Sequence, residues 1–182
     1  MVRCFISVEL PKEIRTKLMD LQKELKGTKN TIKMVAPKNI HITLKFLGEI
    51  SEQELENIKE KLKNIEFKKF HINLQDLLSF PSEQKPRVIS IGVQPQGDLV
   101  LLNTEMNKQL GTTEDREYIP HATIARVKFV KKEGNLLNFI KDKKYFSTEK
   151  FIVEKFALMT SLLTKDGAVH KKVEEYNATD SN

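Results

Sequence analysis

The chain has 182 residues, of which 39% are hydrophobic and 31% are charged, and it contains one cysteine. This composition excludes a collagen-like, disulfide-rich or broadly disordered chain and predicts one domain of ordinary size. No apolar run is long enough for a transmembrane helix or for the core of a signal peptide, so we expect a cytoplasmic protein. The net charge of +6 permits a polyanionic partner without requiring one.

Hydrophobic periodicity predicts strands and helices in alternation along the chain. The predicted strands are 3–10, 40–47, 70–80, 87–93, 121–129, 151–163 and 168–176, the last two joined by a turn at 165–167. The predicted helices are 11–26, 51–64, 98–110 and 135–140. Ser51 and Glu54 have the spacing of a capping box, and Gly111 marks a helix end. Because the late strands are expected to be antiparallel, the pattern favours an α+β fold over a doubly wound one.

The chain contains a weak internal repeat. The segment 5–8 (FISV) resembles 88–91 (VISI), 83 positions later, and 41–44 (HITL) resembles 121–124 (HATI), 80 positions later. The two pairs occur in the same order and at nearly equal offsets. We therefore predict two similar lobes related by an approximate two-fold axis, each with one His-x-Thr strand.

Two His-x-Thr strands carry the side chains needed for acid–base chemistry on a phosphate. Side chains two residues apart in a strand share a face, so His41 and Thr43 point the same way, as do His121 and Thr123. Near neutral pH one imidazole can act as a base while another acts as an acid, and a hydroxyl can donate to a phosphate oxygen. If the strands lie side by side, the pattern predicts phosphoryl chemistry, in which one histidine activates water and the other protonates the leaving oxygen.

Other kinds of site have less support. A single His-x-Thr strand is common and is usually structural, so the hypothesis depends on the two copies. The sequence has no HExxH motif, cysteine cluster or histidine pair at ligand spacing, so we expect no metal, and neither a Walker A loop nor a GxGxxG motif is present. Cys4 lies in an apolar strand and is interpreted as a packing residue, and His71 is interpreted as structural.

The segments around the two histidines, 37–48 (PKNIHITLKFLG) and 118–126 (YIPHATIAR), resemble the two signature motifs of the 2H phosphoesterases. Within that superfamily the chain resembles the RNA 2′,3′-cyclic phosphodiesterases, also called 2′-5′ RNA ligases, and the similarity extends to 3–11, 86–93 and 161–168. The resemblance implies one LigT-like domain over residues 1–182. It implies an α+β, bilobal fold with two antiparallel sheets in pseudo-two-fold symmetry around a cleft and helices outside.

The resemblance also implies an activity, the hydrolysis of an RNA 2′,3′-cyclic phosphate end to a 2′-phosphomonoester without a metal or other cofactor, with 2′-5′ ligation as the reverse reaction. By motif position, His41 would be the proton donor and His121 the proton acceptor. Thr43, Thr123 and Arg126 would bind the substrate phosphate. The implied partner is RNA with a cyclic phosphate end, the protein acting as a monomer away from any membrane.

Some positions complicate this assignment. Strand alternation turns Arg126 away from the second His-x-Thr pair unless the strand twists, bulges or ends there, and it places Lys45 on the face of His41. His170 stands where many relatives have Tyr, and Met34 where Phe or Trp is frequent, so base stacking can differ from the family pattern.

Two alternative functions remain open. The chain could be a non-catalytic module that binds RNA ends, or a 2H phosphodiesterase that acts on a small cyclic nucleotide or on ADP-ribose cyclic phosphate. Product analysis with a cyclic-phosphate oligonucleotide tests the first alternative. A comparison of mononucleotide and oligonucleotide substrates tests the second.

Overall fold

Strands and helices alternate along the chain, as the periodicity predicts. The structure, a computed structural model, describes residues 1–113, 116–165 and 167–179. The strands are β1 (Val2–Glu9), β2 (Thr31–Met34), β3 (His41–Ile50), β4 (Phe70–Phe80), β5 (Val88–Gln94), β6 (His121–Phe129), β7 (Phe151–Val153), β8 (Lys155–Thr164) and β9 (Gly167–Asn177). The helices are α1 (Lys12–Lys26), α2 (Glu52–Leu62), α3 (Gly97–Leu110) and α4 (Leu136–Asp142), with a 3-10 turn at Pro37–Asn39. Of the turn predicted at 165–167, Asp166 lies outside the described residues.

The strands form antiparallel pairs in the order β7-β4-β5-β6-β3-β1-β8-β9, and β2 pairs with β6. The sheet has two halves, β7-β4-β5-β6 and β3-β1-β8-β9, which are joined at the centre by the single pair Ile42 and Ala122. The predicted α+β fold is thus confirmed, and the two predicted antiparallel sheets are the halves of one continuous sheet. The two halves meet edge to edge at β6 and β3, the strands that carry the His-x-Thr pairs.

The segment 151–163, predicted as one strand, is two strands. β7 pairs with β4 at one edge of the sheet, and β8 pairs with β1 near the other edge, although only Glu154 separates them along the chain. The sheet must therefore curl until its two outer edges come close together. The sequence could not show this break, because the apolar pattern of a strand continues on both sides of Glu154.

The helices cover one face of the curled sheet. The predicted stripe of α1 is buried, and α2 begins with the predicted capping box, in which Glu54 N donates to Ser51 Oγ (3.2 Å) and Ser51 N donates to Glu54 Oε2 (2.8 Å). Ile6 of β1, Ile42 of β3 and Ile89 of β5 are fully buried on this face. In the part of the chain that the structure describes, no helix is long and apolar enough to cross a membrane.

The opposite face of the sheet is only partly covered. It carries a small separate cluster of buried residues, Phe5, Ala157 and Met159. Phe5 pairs with Met159, so the cluster lies across the neighbouring strands β1 and β8, and Phe46 of β3 is paired with Phe5 on the other side. This face also carries both His-x-Thr pairs, since the residues between each histidine and threonine point into the main core.

Candidate active site

The two His-x-Thr pairs lie at the junction between the two halves of the sheet. The antiparallel pair Ile42 and Ala122 places the histidine of each strand beside the threonine of the other. Both residues of that pair are fully buried, whereas the residues that flank them are partly exposed. The converging side chains are those predicted to carry the chemistry: His41, Thr43, His121 and Thr123.

Tyr118 ties the two motifs together. Its hydroxyl donates to the carbonyl oxygen of Thr43 over 2.9 Å, so the segment that leads into β6 is anchored on β3. Burial is the main cause of a lowered pKa of His41, and a positive charge on His121 lowers this pKa a little further, so the two imidazoles are within electrostatic reach of each other.

Both histidines have the same orientation. Nδ1 of His41 is 2.7 Å from the carbonyl oxygen of Asn39, and Nδ1 of His121 is 2.7 Å from that of Ile119. A carbonyl only accepts, so each Nδ1 carries the hydrogen and each neutral ring keeps Nε2 as its basic nitrogen. Nε2 of His41 lies 3.0 Å from Thr43 Oγ1, whose hydroxyl therefore donates to it. Nε2 of His121 has no hydrogen-bond partner among the described residues.

An aromatic environment surrounds His41. The ring of Phe5 stacks on it with a centroid distance of 4.8 Å, and the ring of His170 meets it edge to face at 5.4 Å. Burial lowers the pKa of His41 to about 4, in spite of the opposing effect of the hydrogen bond to Asn39. His41 is therefore uncharged at neutral pH in the substrate-free protein. His170 reaches the site, and burial lowers its pKa as well.

The second histidine has its own aromatic neighbour, which sequence reasoning missed. The ring of Phe80, at the end of β4, lies 5.3 Å from the ring of His121. Asn39 has a further role, since its Nδ2 donates to the carbonyl oxygen of Ala168 (2.7 Å) and holds the β8–β9 hairpin beside the first motif. These contacts join segments far apart in sequence, so no local pattern signals them.

A β-bulge turns Arg126 to the face of the sheet that carries the His-x-Thr pairs. In the pairing of β6 with β5, Ile124 is an extra residue without a partner. The alternation of side chains shifts by one place after it, so Arg126 is exposed on the face of His121 and Thr123. The expectation from strict alternation, which turned Arg126 away, is wrong because of this bulge.

A matching bulge in β3 removes Lys45 from the site. The pairing of β3 with β1 skips Leu44, at the position equivalent to the bulge in β6. Lys45 consequently points to the core face, is only 6% exposed and donates to Asn107 Oδ1 of α3. The prediction that it shares the face of His41 is wrong. Phe46 takes that place instead and is 76% exposed.

Buried serines lie next to both threonines. Ser90 Oγ and Thr123 Oγ1, on paired residues of β5 and β6, are 3.1 Å apart and hydrogen-bonded. Ser7 pairs with Thr43 in the same way, but its buried Oγ has no hydrogen-bond partner among the described residues. The repeat itself contained this signal, since both serines occupy the same place in FISV and VISI.

The remaining candidates lie elsewhere. Cys4 is buried with a free thiol, His71 is exposed on β4 beside the edge strand β7, and Met34 packs against the main core. Within the described ranges, no three His, Cys, Asp or Glu side chains come together in a group that could hold a metal ion.

Comparison with known proteins identifies the class. A family model described as LigT like phosphoesterase matches residues 8–90. A protein named RNA 2′,3′-cyclic phosphodiesterase from Archaeoglobus fulgidus is 34% identical over 178 residues, which cover 96% of this chain and 99% of its own length. A protein of the same name from Methanocaldococcus jannaschii is 32% identical over 178 residues, covering 96% and 100%. The chain therefore belongs to the LigT-like phosphoesterase family.

Solved structures show the same fold. A crystal structure of a protein from Thermus thermophilus is 27% identical, with a TM-score of 0.75 over 96% of this chain and 97% of that one. E. coli LigT in its apo form is 21% identical, with a TM-score of 0.80 over 98% of each chain. The curled antiparallel sheet with helices on one face is thus the architecture of this family.

Proposed function

We propose that this protein hydrolyses 2′,3′-cyclic phosphate ends of RNA to 2′-phosphomonoesters. The observation that carries the proposal is the convergence of two His-x-Thr pairs where the halves of the sheet meet, each histidine beside the opposite threonine. The choice of RNA is supported by relatives named RNA 2′,3′-cyclic phosphodiesterase at 27–34% identity over most of the chain.

His121 is the proposed base. Its Nδ1 donates to Ile119, so the free Nε2 can accept a proton from water. The water oxygen forms a bond to phosphorus, and the bond from phosphorus to O3′ breaks. The product keeps its phosphate on O2′.

His41 is the proposed acid, which protonates the departing O3′. This role requires a proton on Nε2, which the low pKa of the substrate-free protein disfavours. The anionic cyclic phosphate supplies the missing stabilisation, because a negative charge close to the ring favours the imidazolium form. In this proposal the acid is charged when substrate enters. The pseudo-symmetric arrangement supports an acid and a base on opposite sides of phosphorus.

Thr43, Thr123 and Arg126 are the proposed phosphate contacts. The two hydroxyls can donate to the non-bridging oxygens, whose negative charge grows as water attacks. Arg126 adds a permanent positive charge on the same face. The proposed step needs no metal ion, since these groups balance the developing charge.

The same site can also join two RNA ends, by the same displacement with a different nucleophile. When the 5′-hydroxyl of a second RNA takes the place of water, attack on the cyclic phosphate forms a 2′-5′ linkage and releases the same O3′. One P–O bond forms and one breaks, so the reaction consumes no nucleoside triphosphate. We propose ligation as a secondary activity of the same residues.

We also propose that residues 1–182 form one domain of two related lobes, acting as a monomer in the cytoplasm, where RNA ends are the partner. Support for the lobes comes from the repeat in sequence, the matching bulges at Leu44 and Ile124, and the matching Nδ1 hydrogen bonds. The strand order adds to it, since β4-β5-β6 on one side of the centre mirrors β8-β1-β3 on the other.

An assay with a 5′-labelled oligoribonucleotide that ends in a 2′,3′-cyclic phosphate tests the function. We expect conversion to the 2′-phosphate alone, identified by phosphorus NMR, at a rate that EDTA does not change. An oligonucleotide that is bound but recovered intact would instead favour an RNA-end-binding module. Faster turnover of a cyclic mononucleotide than of the oligonucleotide would favour the small-nucleotide alternative, and metal-reversible inhibition by EDTA would contradict the mechanism.

A further inference from the structure

We propose that Lys33 forms a second phosphate site beside Arg126, which binds the phosphodiester one nucleotide upstream of the cyclic phosphate. The Arg126 guanidinium, with five N–H donors, lies between the two phosphates and donates to both. The proposal rests on the proposed function and narrows its substrate class to RNA chains of two or more nucleotides. Lys33 is outside both His-x-Thr motifs.

The strand register brings the two cations together. Lys33 of β2 is directly opposite Arg126 of β6, and both residues are exposed. The neighbours of Lys33, Ile32 and Met34, pack against the main core, so Lys33 faces the other way. Directly paired residues share a face, which is the face of Thr123 once the bulge has shifted the alternation.

Among the residues that the structure describes, the charges at this place have no ion-pair partner. Like charges directly opposite on neighbouring strands are destabilising, and neither Lys33 nor Arg126 has an ion pair within the part of the chain that the structure describes. A bridging phosphate removes this repulsion and gives each cation a charge-assisted hydrogen bond. The arrangement is therefore that of an anion site.

The location suits a neighbouring phosphate of the same RNA strand. Ile124 and Ala125 together occupy one position of the strand because of the bulge. Arg126 therefore lies two strand positions beyond Thr123 on the same face, about 7 Å along the strand. That separation is comparable to the distance between successive phosphates of a nucleotide chain. A Cβ on Gly167 would lie 3.8 Å from Lys33 Nζ, so the tip of the β8–β9 hairpin borders the site on one side.

The test compares Lys33→Ala with the wild type on two substrates, a cyclic mononucleotide and a dinucleotide with a cyclic 3′ end. We expect kcat/KM to fall about tenfold for the dinucleotide only, and the salt dependence of kcat/KM to weaken by about one charge. A dinucleotide with a neutral methylphosphonate linkage should be turned over equally by both proteins. Lys141→Ala, which removes an exposed lysine from α4, is the matched control.

Two results would overturn the proposal: equal losses on both substrates, or no loss on the dinucleotide. A binding measurement distinguishes failure of the second phosphate site from failure of the proposed function. Calorimetry with the dinucleotide that ends in a 2′-phosphate should show about tenfold weaker binding to Lys33→Ala, whether or not the wild type hydrolyses anything. Unchanged affinity overturns the second site, and absent hydrolysis by the wild type overturns the function.

A different observation carries a second inference. We infer that Ser7 is a positioning residue for Thr43 in the substrate complex. Ser7 is 1% exposed, and its Oγ has no hydrogen-bond partner among the described residues, although Thr43 is opposite it on β3. The equivalent pair, Ser90 and Thr123, is hydrogen-bonded at 3.1 Å.

The two serine–threonine pairs differ in the hydrogen-bond acceptor of the threonine hydroxyl. Thr43 donates to Nε2 of His41, and Thr123 has no such bond to His121 among the described residues. When His41 becomes protonated for its role as acid, Nε2 no longer accepts, and the Thr43 hydrogen is released to a phosphate oxygen. Ser7 can then donate to a lone pair of Thr43 Oγ1 and fix its orientation, much as the hydrogen bond between Ser90 and Thr123 holds the second threonine.

The variant Ser7→Ala tests this role, because it removes only the hydroxyl. We expect kcat to fall about three- to tenfold with KM nearly unchanged, and no further fall when Thr43 is already valine. The melting temperature should be unchanged or higher, because the substrate-free protein loses an unsatisfied buried hydroxyl. Ser90→Ala should lose both stability and kcat. A normal kcat in Ser7→Ala, or an equal fall in the Thr43→Val background, would refute the inference.

Discussion

Replacing His121 by alanine is expected to lower kcat by about 10²- to 10⁴-fold, and replacing His41 by alanine to lower it within the same range. His121 is expected to act in the attack on phosphorus, and His41 in the departure of O3′. Both act on one transition state, so the double variant should be little worse than either single variant. The measurement is single-turnover hydrolysis of a cyclic-phosphate oligonucleotide.

Controls separate chemistry from folding in these variants. His71→Ala removes an exposed imidazole from β4 and should keep full activity. His41→Gln fills more of the space beside Phe5 than alanine does, so a loss shared by both His41 variants cannot come from a cavity. Melting curves should show all variants folded. If either His41 or His121 can be replaced with activity retained, the assignment of the acid and the base is wrong.

The protonation of His41 should follow its burial. Its imidazole signals in NMR are expected to titrate with a pKa of about 4 in the free protein, against an ordinary value of 6.5. Saturation with a 2′-phosphorylated product should raise this pKa, because the phosphate favours the imidazolium form. An unchanged pKa on binding would contradict the proposal that substrate charges the acid.

The same shift has a consequence for stability, and its sign can be stated. Between about pH 6.5 and 4 the unfolded chain binds a proton at His41 that the folded chain does not bind, so stability falls as the pH falls through this window. The loss should reach up to about 3 kcal/mol by pH 4. Urea unfolding of the wild type and of His41→Gln at several pH values isolates the effect, and His170→Gln measures the contribution of the second histidine whose pKa burial lowers. Identical pH dependence in wild type and His41→Gln would show that burial does not control this group.

The placement of each histidine on the same face as its own threonine was predictable, because it depends on short-range order, whereas the sequence alone did not bring the two histidines together. The two-residue period of a strand placed each histidine and threonine on one face, and the repeat assigned one such strand to each of two lobes. The LigT-like resemblance then supplied the α+β fold that the strand pairings confirm. The pairing of Ile42 with Ala122 adds what no local pattern contains, the register between strands 80 positions apart.

The errors also have a common physical origin. A bulge adds one residue without changing the residue types around it, so alternation from His41 placed Lys45 in the cleft, whereas Leu44 shifts it into the core. The sequence pattern likewise runs through Glu154, where the chain crosses from one half-sheet to the other. The short strand β2, which carries Lys33, was not predicted, because four residues are too few to establish a period.

The two halves of the sheet share only one backbone pair at the candidate site, so the backbone holds them together weakly there. Elsewhere neighbouring strands share several paired residues, but β3 and β6 share only Ile42 and Ala122, supplemented by side-chain bonds such as that of Tyr118. A phosphate that accepts hydrogen bonds from both β3 and β6 would connect the two halves where they share the fewest backbone hydrogen bonds. A phosphate bound in this way would also cross-link the half-sheets, and a product analogue should stabilise the fold by RT ln(1 + L/Kd), where L is the concentration of free ligand.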